Sequence, residues 1–264
     1  MFEYHADKER YFEMQYLTAR DFIIPLLQSI RPFRDRDRIL EIGCAEAGVL
    51  KAFLEKDLFC FGIDLNANRI ETAKRFHSES YAIGKIKFIS KNVYDIEIEK
   101  DLEGHFDIII LKDVIEHIPH QEKFIPVLKT YLNSGGLIFF GFPPWQMPFG
   151  GHQQMCTTKW LAKLPWIHLL PKSIYKKLLV WGKQDELAIK EFIEIKETGI
   201  SIERFERIIE QSSLEIKKRV LFFTNPIYKF KFNLQPRILP QLLSKIPFIR
   251  NFYTTAAYYV IGKE

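Results

Sequence analysis

A turn of small residues near the N-terminus could hold a nucleotide-like ligand. Gly43, Ala45 and Gly48 form a G-x-A-x-x-G turn between a short apolar run and a helical pattern. Small side chains let the backbone approach a ligand closely, and the start of a helix presents free amide groups. Asp64 ends the next apolar run, about twenty residues after Gly43, where a carboxylate can accept both hydroxyls of a ribose. This spacing favours a nucleoside-binding site.

These residues lie within an alternation of short apolar runs and helical patterns. The apolar runs predict strands at 38–42, 59–63, 86–89, 106–111, 137–142, 214–224 and 255–262. The helical patterns lie at 8–30, 46–56, 66–80, 120–132 and 202–211. The alternation predicts an α/β fold with a parallel sheet whose strands are buried on both faces. We expect a single domain over residues 1–264 with two inserts, 143–200 and 225–250.

The net charge of +5 is unevenly distributed along the chain. Residues 157–183 hold six lysines and no acid, and residues 216–263 hold nine lysines and arginines and no acid. This pattern suggests a basic face for an anionic partner, whereas dispersed solvated charges would give the same count. Three cysteines without metal-ligand spacing, and a charged N-terminus without an apolar leader, favour the cytoplasm.

Five segments together resemble the class I methyltransferases that depend on S-adenosylmethionine (SAM). They are ILEIGCAEAGVL (39–50), GIDLN (62–66), ISKNVYD (89–95), FDIIILKDVIEHIP (106–119) and LNSGGLIFFGFP (132–143). The resemblance implies SAM as the cofactor and a Rossmann-like sheet of seven strands in the order 3-2-1-4-5-7-6. The short 250–254 link before the last strand fits an antiparallel seventh strand.

The resemblance also assigns a set of cofactor-binding residues. Glu41 matches the acid that helps to hold the methionine end, Asp64 the ribose acid, and Asn92 the residue that meets adenine. The full set is Glu41, Gly43, Cys44, Ala45, Gly48, Asp64, Leu65, Asn92 and Val93. Most members of the family have glycine where this chain has Ala45, so we expect Ala45 to keep a negative φ.

Two histidines are candidates for the proton acceptor that an oxygen nucleophile needs near neutral pH. His117 follows the fourth predicted strand, in the turn that faces the substrate in the resembling family. His152 follows the fifth predicted strand, at the edge of the sheet where open α/β folds bind ligands. Either histidine could instead be structural, bonded to a neighbouring loop.

A D-x-x-E-H pattern of Asp113, Glu116 and His117 offers ligands for a divalent ion, together with His152. A few SAM-dependent enzymes that methylate sugar or catechol-like hydroxyls use a similar pattern. Because an E-H pair after the fourth strand is widespread in methyltransferases without a metal, we expect no metal here.

The inserts combine aromatic, leucine and lysine residues, as in KWLAKLPWIHLLPKSIYKKLLVWGK (159–183). This make-up is typical of a substrate lid packed on the sheet and also of an interfacial amphipathic segment. We expect residues 143–200 to form a helical lid in which Trp160, Trp166 and Trp181 wall off the acceptor. Peripheral contact with the inner face of a membrane is compatible with that lid.

A methyltransferase for a small-molecule, glycan or lipid-linked acceptor is the leading interpretation. A nicotinamide-dependent oxidoreductase shares the glycine turn, but Glu41, Asn92 and the two strands after the first insert count against it. A non-catalytic, membrane-associated SAM-binding protein would keep the same fold. A nucleic-acid methyltransferase is disfavoured because no recognition module is visible. The acceptor, the methylated atom and the oligomeric state stay open.

Overall fold

The computed structural model describes residues 7–263, so residues 1–6 and 264 of the predicted domain lie outside it. The helices are α1 (Lys8–Thr18), α2 (Ile24–Gln28), α3 (Gly48–Leu54), α4 (Ala67–Phe76), α5 (Ser78–Ala82), α6 (Ile98–Asp101), α7 (Gln121–Leu128), α8 (Lys159–Lys163), α9 (Lys172–Trp181), α10 (Glu186–Thr198), α11 (Ile202–Glu210), α12 (Tyr228–Phe232), α13 (Gln241–Ser244) and α14 (Ile249–Tyr253). The strands are β1 (Arg38–Ile42), β2 (Phe59–Asp64), β3 (Ile86–Ser90), β4 (Phe106–Lys112), β5 (Leu132–Phe142), β6 (Leu214–Thr224), β7 (Arg237–Ile238) and β8 (Ala256–Lys263).

The strands form one mixed sheet in the order β3-β2-β1-β4-β5-β8-β6-β7. Strands β1 to β5 pair in parallel, and β8 runs antiparallel to both β5 and β6. The seven predicted strands and their order are therefore confirmed, with β8 as the antiparallel member. The additional strand, β7, pairs antiparallel with the outer edge of β6. Two residues are too few to show the alternation by which a strand is predicted.

Both faces of the sheet are covered, as the continuous apolar strands predicted. Leu40 of β1 and Phe140 of β5 belong to the core on the side of α7 and α11. Their sequence neighbours, Ile39 and Phe139, belong to the core on the side of α1, α2 and α3. Successive side chains of a strand point to opposite faces, so each strand contributes to both cores.

The N-terminal helical stretch lies against the start of α3. Helices α1 and α2 are joined by a π-helical segment, Ala19–Ile23. A Cβ on Gly48 would lie 2.4 Å from the carbonyl oxygen of Phe12. Gly48 therefore permits the close approach of α1 to α3, and this packing holds Tyr11 and Phe12 over the turn that follows β1.

The first insert, 143–200, contains no strand and forms α8, α9 and α10 around a small core of its own, which includes Leu161, Tyr175, Leu179 and Phe192. Buried His168 joins this insert to the exit of β5, because its Nε2 lies 2.7 Å from the carbonyl oxygen of Trp145. Burial lowers the pKa of His168 to about 4. The predicted helical character of this insert is therefore present in the structure.

The second insert, 225–250, forms α12, β7, α13 and the first residues of α14. Arg250 anchors its end to α11 through Nε to Glu203 Oε1 at 2.9 Å and through a terminal nitrogen to Glu206 Oε2 at 2.7 Å. Across residues 7–263, none of the helices is long and apolar enough to cross a bilayer.

Candidate active site

The turn after β1 is fixed by its glycine and by backbone bonds to the next strand. Gly43 has a φ of 71°, and a Cβ there would lie 2.4 Å from Cγ2 of Val114. The amides of Gly43 and Cys44 both donate to the carbonyl of Ile63, at 2.8 and 3.0 Å. These bonds hold the turn beside the end of β2, which is where Asp64 stands.

The expectation of a negative φ at Ala45 is wrong. Ala45 has a φ of 50° and Ala47 has a φ of 63°, so both alanines adopt the left-handed backbone conformation. This conformation brings an L-residue's Cβ close to the following carbonyl oxygen and costs about 1–2 kcal/mol. The amide of Ala45 donates to Oδ2 of Asp64 at 2.8 Å, which favours the left-handed turn.

The acid of the second strand helps to build the turn. Besides the bond from Ala45, the other oxygen of Asp64 accepts the amide of Asn66 at 2.8 Å. A carboxylate oxygen accepts two hydrogen bonds, so each oxygen of Asp64 keeps capacity for a ligand hydroxyl. Leu65, the next residue, is 73% exposed beside it.

Asn92, which was predicted to meet adenine, and Val93, a second predicted cofactor-binding residue, lie after β3. Asn92 Oδ1 accepts the amide of Tyr94 at 3.1 Å and begins a 3₁₀ turn. Val93 is buried and lines a groove that it shares with Tyr94 and Phe124. The sheet order places β3 beside β2, so these residues reach the same edge as Asp64.

A cleft of about 450 Å³, counted to its open mouth, lies over the turn. Five of the predicted residues line it: Glu41, Gly43, Cys44, Ala45 and Gly48. Its other walls include Tyr11 and Phe12 from α1 and Lys112 and Asp113 from the end of β4. Asp64, Leu65, Asn92 and Val93 do not belong to this lining, although Asp64 is bonded to it through Ala45.

Glu41 is a buried acid that faces this cleft. Its side chain is 3% exposed, and nothing within residues 7–263 donates a hydrogen bond to Oε2. Burial raises the pKa of Glu41 well above its usual value. A cation bound nearby would reverse that effect by favouring the carboxylate. The residue therefore fits a ligand that carries a positive group.

Lys112 is a second charged group in the cleft that the motifs did not single out. It is 7% exposed, and its Nζ donates to Oδ2 of Asp113 at 2.5 Å. Burial opposes its charge most strongly, but the Asp113 carboxylate, together with Tyr258 and Tyr11, outweighs burial, so the pKa of Lys112 is raised. The sequence did hold a signal, since in FDIIILK a lysine directly follows four apolar residues.

A second cleft, of about 820 Å³, adjoins the first, and Tyr11 and Asp113 line both. The two inserts supply much of its wall: Met147, Phe149, His152 and Met155 come from the first, and Ile227, Tyr228 and Lys231 from the second. The three tryptophans expected there lie elsewhere. Trp160, Trp166 and Trp181 are 41%, 43% and 73% exposed and do not line the cleft.

The two candidate histidines lie together, and His152 lines this second cleft. The ring centroids of His117 and His152 are 4.9 Å apart. Glu116, which is 3% exposed, completes a group whose potential ligand atoms all lie within 4.8 Å of one another. Within the described chain no donor reaches either oxygen of Glu116, and burial, reinforced by the charge of Asp113, raises its pKa well above the usual value. The group could accept a proton or hold a cation.

The fold and the clefts at the carboxyl ends of the parallel strands define a class I methyltransferase. A family model described as "Methyltransferase domain" matches residues 13–172, which is more than half of the chain. This chain therefore belongs to the methyltransferase-domain family. The class predicted from the motifs, with SAM as its cofactor, is confirmed.

Curated relatives match about two fifths of the chain. Ubiquinone biosynthesis O-methyltransferases are 23% identical over 103 residues in Acinetobacter baylyi and 28% identical over 102 residues in Coxiella burnetii. Each alignment covers 39% of this chain and 42% of the relative, so the match spans about two fifths of the relatives' length.

Solved structures resemble the fold over nearly the whole chain. A SAM-dependent methyltransferase from Clostridium acetobutylicum has a TM-score of 0.58 at 12% identity, over 94% of this chain and 92% of that one. The plantazolicin methyltransferase BpumL, solved with SAH, has a TM-score of 0.53 at 12% identity, over 99% and 87%. At these identities the likeness concerns the fold alone.

Proposed function

We propose that this chain transfers the methyl group of SAM to a small-molecule, glycan or lipid-linked acceptor held in the second cleft. The observation that carries the proposal is that the two clefts adjoin and share Tyr11 and Asp113. A donor in the first cleft would then present its methyl group to an acceptor in the second. The relatives named as O-methyltransferases support an oxygen as the accepting atom.

The charges of the first cleft match the zwitterionic methionine end of SAM. Glu41 would attract the cationic amino group, and Lys112 would pair with the carboxylate. Asp64 would accept the ribose hydroxyls, with Asn92 at the adenine edge. The backbone of Gly43, Cys44, Ala45 and Gly48 would form the floor, and Leu65 and Val93 would flank the adenosine. When bound, SAM supplies a methyl group made electrophilic by its sulfonium.

The acceptor needs alignment and a place for its proton. In-line substitution gains most of its rate from positioning and from exclusion of water. The Met147, Phe149 and Ile227 side chains would exclude water. His152, half-buried and lining the cleft, would take the proton of the acceptor hydroxyl, and neighbouring His117 would support it. This chemistry requires no metal.

We propose that residues 143–200 are a lid and residues 225–250 a second wall, since both line the second cleft. Their basic and apolar composition suits a lipid-linked acceptor and peripheral contact with a membrane. The lid closes through Met147, Phe149 and Met155, while Trp160, Trp166 and Trp181 are exposed.

Two variants test the proposal by separating binding from turnover. His152→Gln should keep SAH affinity within about twofold and lower methyl transfer by about 100-fold or more, the usual range for loss of a general base. Asp64→Ala should weaken SAH binding. Methyl transfer would be followed with isotope-labelled SAM and a lysate of the source cells, and mass spectrometry would identify the product. Undiminished transfer by His152→Gln would remove the histidine from the mechanism. Lack of SAH binding by the folded wild-type chain would overturn the proposal itself.

A further inference from the structure

An exposed apolar segment adjoins the second cleft. Residues 232–253 begin one residue after Lys231 and end two residues before Thr255, and both of these residues line that cleft. Nine large apolar side chains of the segment are exposed: Phe232, Leu234, Ile238, Leu242, Ile246, Phe248, Ile249, Phe252 and Tyr253. Leu242, Phe248 and Ile238 are 83%, 69% and 66% exposed. So dense a set of exposed apolar side chains marks an interaction surface.

The backbone beneath these side chains is held firmly to the body of the protein. The amide of Phe248 donates to Oε1 of Glu203 at 2.9 Å, and Asn251 Nδ2 donates to Oε2 of the same residue at 2.6 Å. Arg250 binds Glu203 as well, as described above. The apolar side chains therefore project from an anchored platform. Phe248 has a φ of 63°, which is rare for a bulky residue, and the residue is 69% exposed.

The basic charges of the segment indicate which kind of partner it binds. Arg237 and Lys245 are exposed, and no acid occurs between residues 216 and 263. Apolar side chains combined with basic charges match an anionic bilayer surface, where side chains enter the interface and lysines meet headgroups. A symmetric pairing of two copies would instead bring Arg237 and Lys245 of both copies together without an acid from this segment.

We propose that residues 232–253 dock the protein on an anionic membrane surface, with the mouth of the second cleft next to the lipid. The docking surface is defined by Leu242, Phe248 and Ile249 as apolar contacts and by Arg237 and Lys245 as basic contacts. Binding to lipid does not depend on the proposed methyl transfer, so the two can fail separately.

Vesicle flotation of the full chain tests this surface. The vesicles would be phosphatidylcholine alone or phosphatidylcholine with about 30% phosphatidylglycerol. The wild type should float with the anionic vesicles, float much less with neutral ones, and be released by high salt. Leu242→Ser with Phe248→Ser should lower the partition coefficient about tenfold or more, because each side chain gives up apolar burial in the interface. Arg237→Gln with Lys245→Gln should remove the preference for anionic vesicles.

Ile83→Ser is the matched control, since Ile83 is 75% exposed and precedes β3 at the opposite edge of the sheet. It should leave flotation unchanged. SAH binding and the thermal midpoint should be the same in all variants, which shows that they fold. Equal binding to both vesicle types, or an equal loss with Ile83→Ser, would overturn the proposal. So would a wild type that ignores vesicles but forms a dimer that the Leu242→Ser, Phe248→Ser variant dissociates in light scattering.

Discussion

Replacing Ala45 by glycine should stabilise the protein, although the substitution removes a methyl group from a buried turn. Ala45 adopts a φ of 50°, where alanine is strained and glycine is not. Its amide hydrogen bond to Asp64 belongs to the backbone and is kept in the variant. The substitution therefore relieves strain without removing a polar contact.

The expected gain follows from two opposing terms. The left-handed conformation costs alanine about 1–2 kcal/mol relative to glycine. Glycine also lowers the stability by about 0.5–1 kcal/mol, because it loses more conformational entropy on folding than alanine does. Taking the middle of each range, the net increase in the free energy of unfolding is about 0.75 kcal/mol. For a chain of this size, that raises the thermal midpoint by about 1.5–3 °C.

Urea unfolding followed by circular dichroism would measure this difference. Ala47→Gly should stabilise the protein less than Ala45→Gly. Ala47 has a φ of 63°, but its methyl group is fully buried in the core, and the loss of that burial offsets the relief of strain. Ala52→Gly is the matched control: Ala52 lies inside α3, and glycine there should cost about 1 kcal/mol. If Ala45→Gly destabilised the protein as much as Ala52→Gly does, the strain argument would be refuted.

Three further predictions concern the cofactor, a histidine and metal. Lys112→Met should weaken SAH binding by about 1.5–3 kcal/mol in calorimetry, the cost of a lost hydrogen bond to a charged group. 5′-Methylthioadenosine lacks the carboxylate, so its affinity should not change. Equal losses for both ligands would make Lys112 structural. The free energy of unfolding should fall as pH drops from 6.5 towards about 4, by up to about 3 kcal/mol, because unfolded His168 takes up a proton that the folded form excludes. His168→Gln should flatten this fall in urea titrations at several pH values, and an unchanged slope would contradict the assignment. EDTA should leave methyl transfer unaffected, whereas inhibition that Mg²⁺ or Mn²⁺ reverses would make Glu116, His117 and His152 metal ligands.

The sheet could be predicted because burial on both faces leaves a strong pattern. The run 38–42 matches β1 residue for residue, and 214–224 matches β6. Strand β5 begins at Leu132, five residues before the predicted run, because its first residues include Asn133, Ser134 and two glycines. Strand β7 depends on pairing with β6, and this tertiary contact leaves no recognisable pattern in a sequence of two residues.

The candidate site was less predictable than the sheet, because side-chain partners depend on the fold. The apolar runs predicted that His117 and His152 follow two different strands. Because those strands, β4 and β5, are adjacent in the sheet, the two rings lie together. Ala45 combines a positive φ with an amide hydrogen bond to Asp64, a contact that sequence spacing could not reveal. Tryptophans predicted as a wall lie exposed, because apolar character does not show which face of a short helix is covered.

The position of β8 has a consequence for how the protein is made. β8 lies between β5 and β6 in the sheet, yet more than a hundred residues separate the end of β5 from its start. At ribosomal rates of about 5–20 residues per second, synthesis of the residues between β5 and β8 takes on the order of ten seconds, and one edge of β5 is unpaired during that time. An unpaired apolar edge invites association with other chains. During synthesis, the open edge of β5 must therefore be shielded by a chaperone or by the chain's own inserts until β8 pairs between β5 and β6.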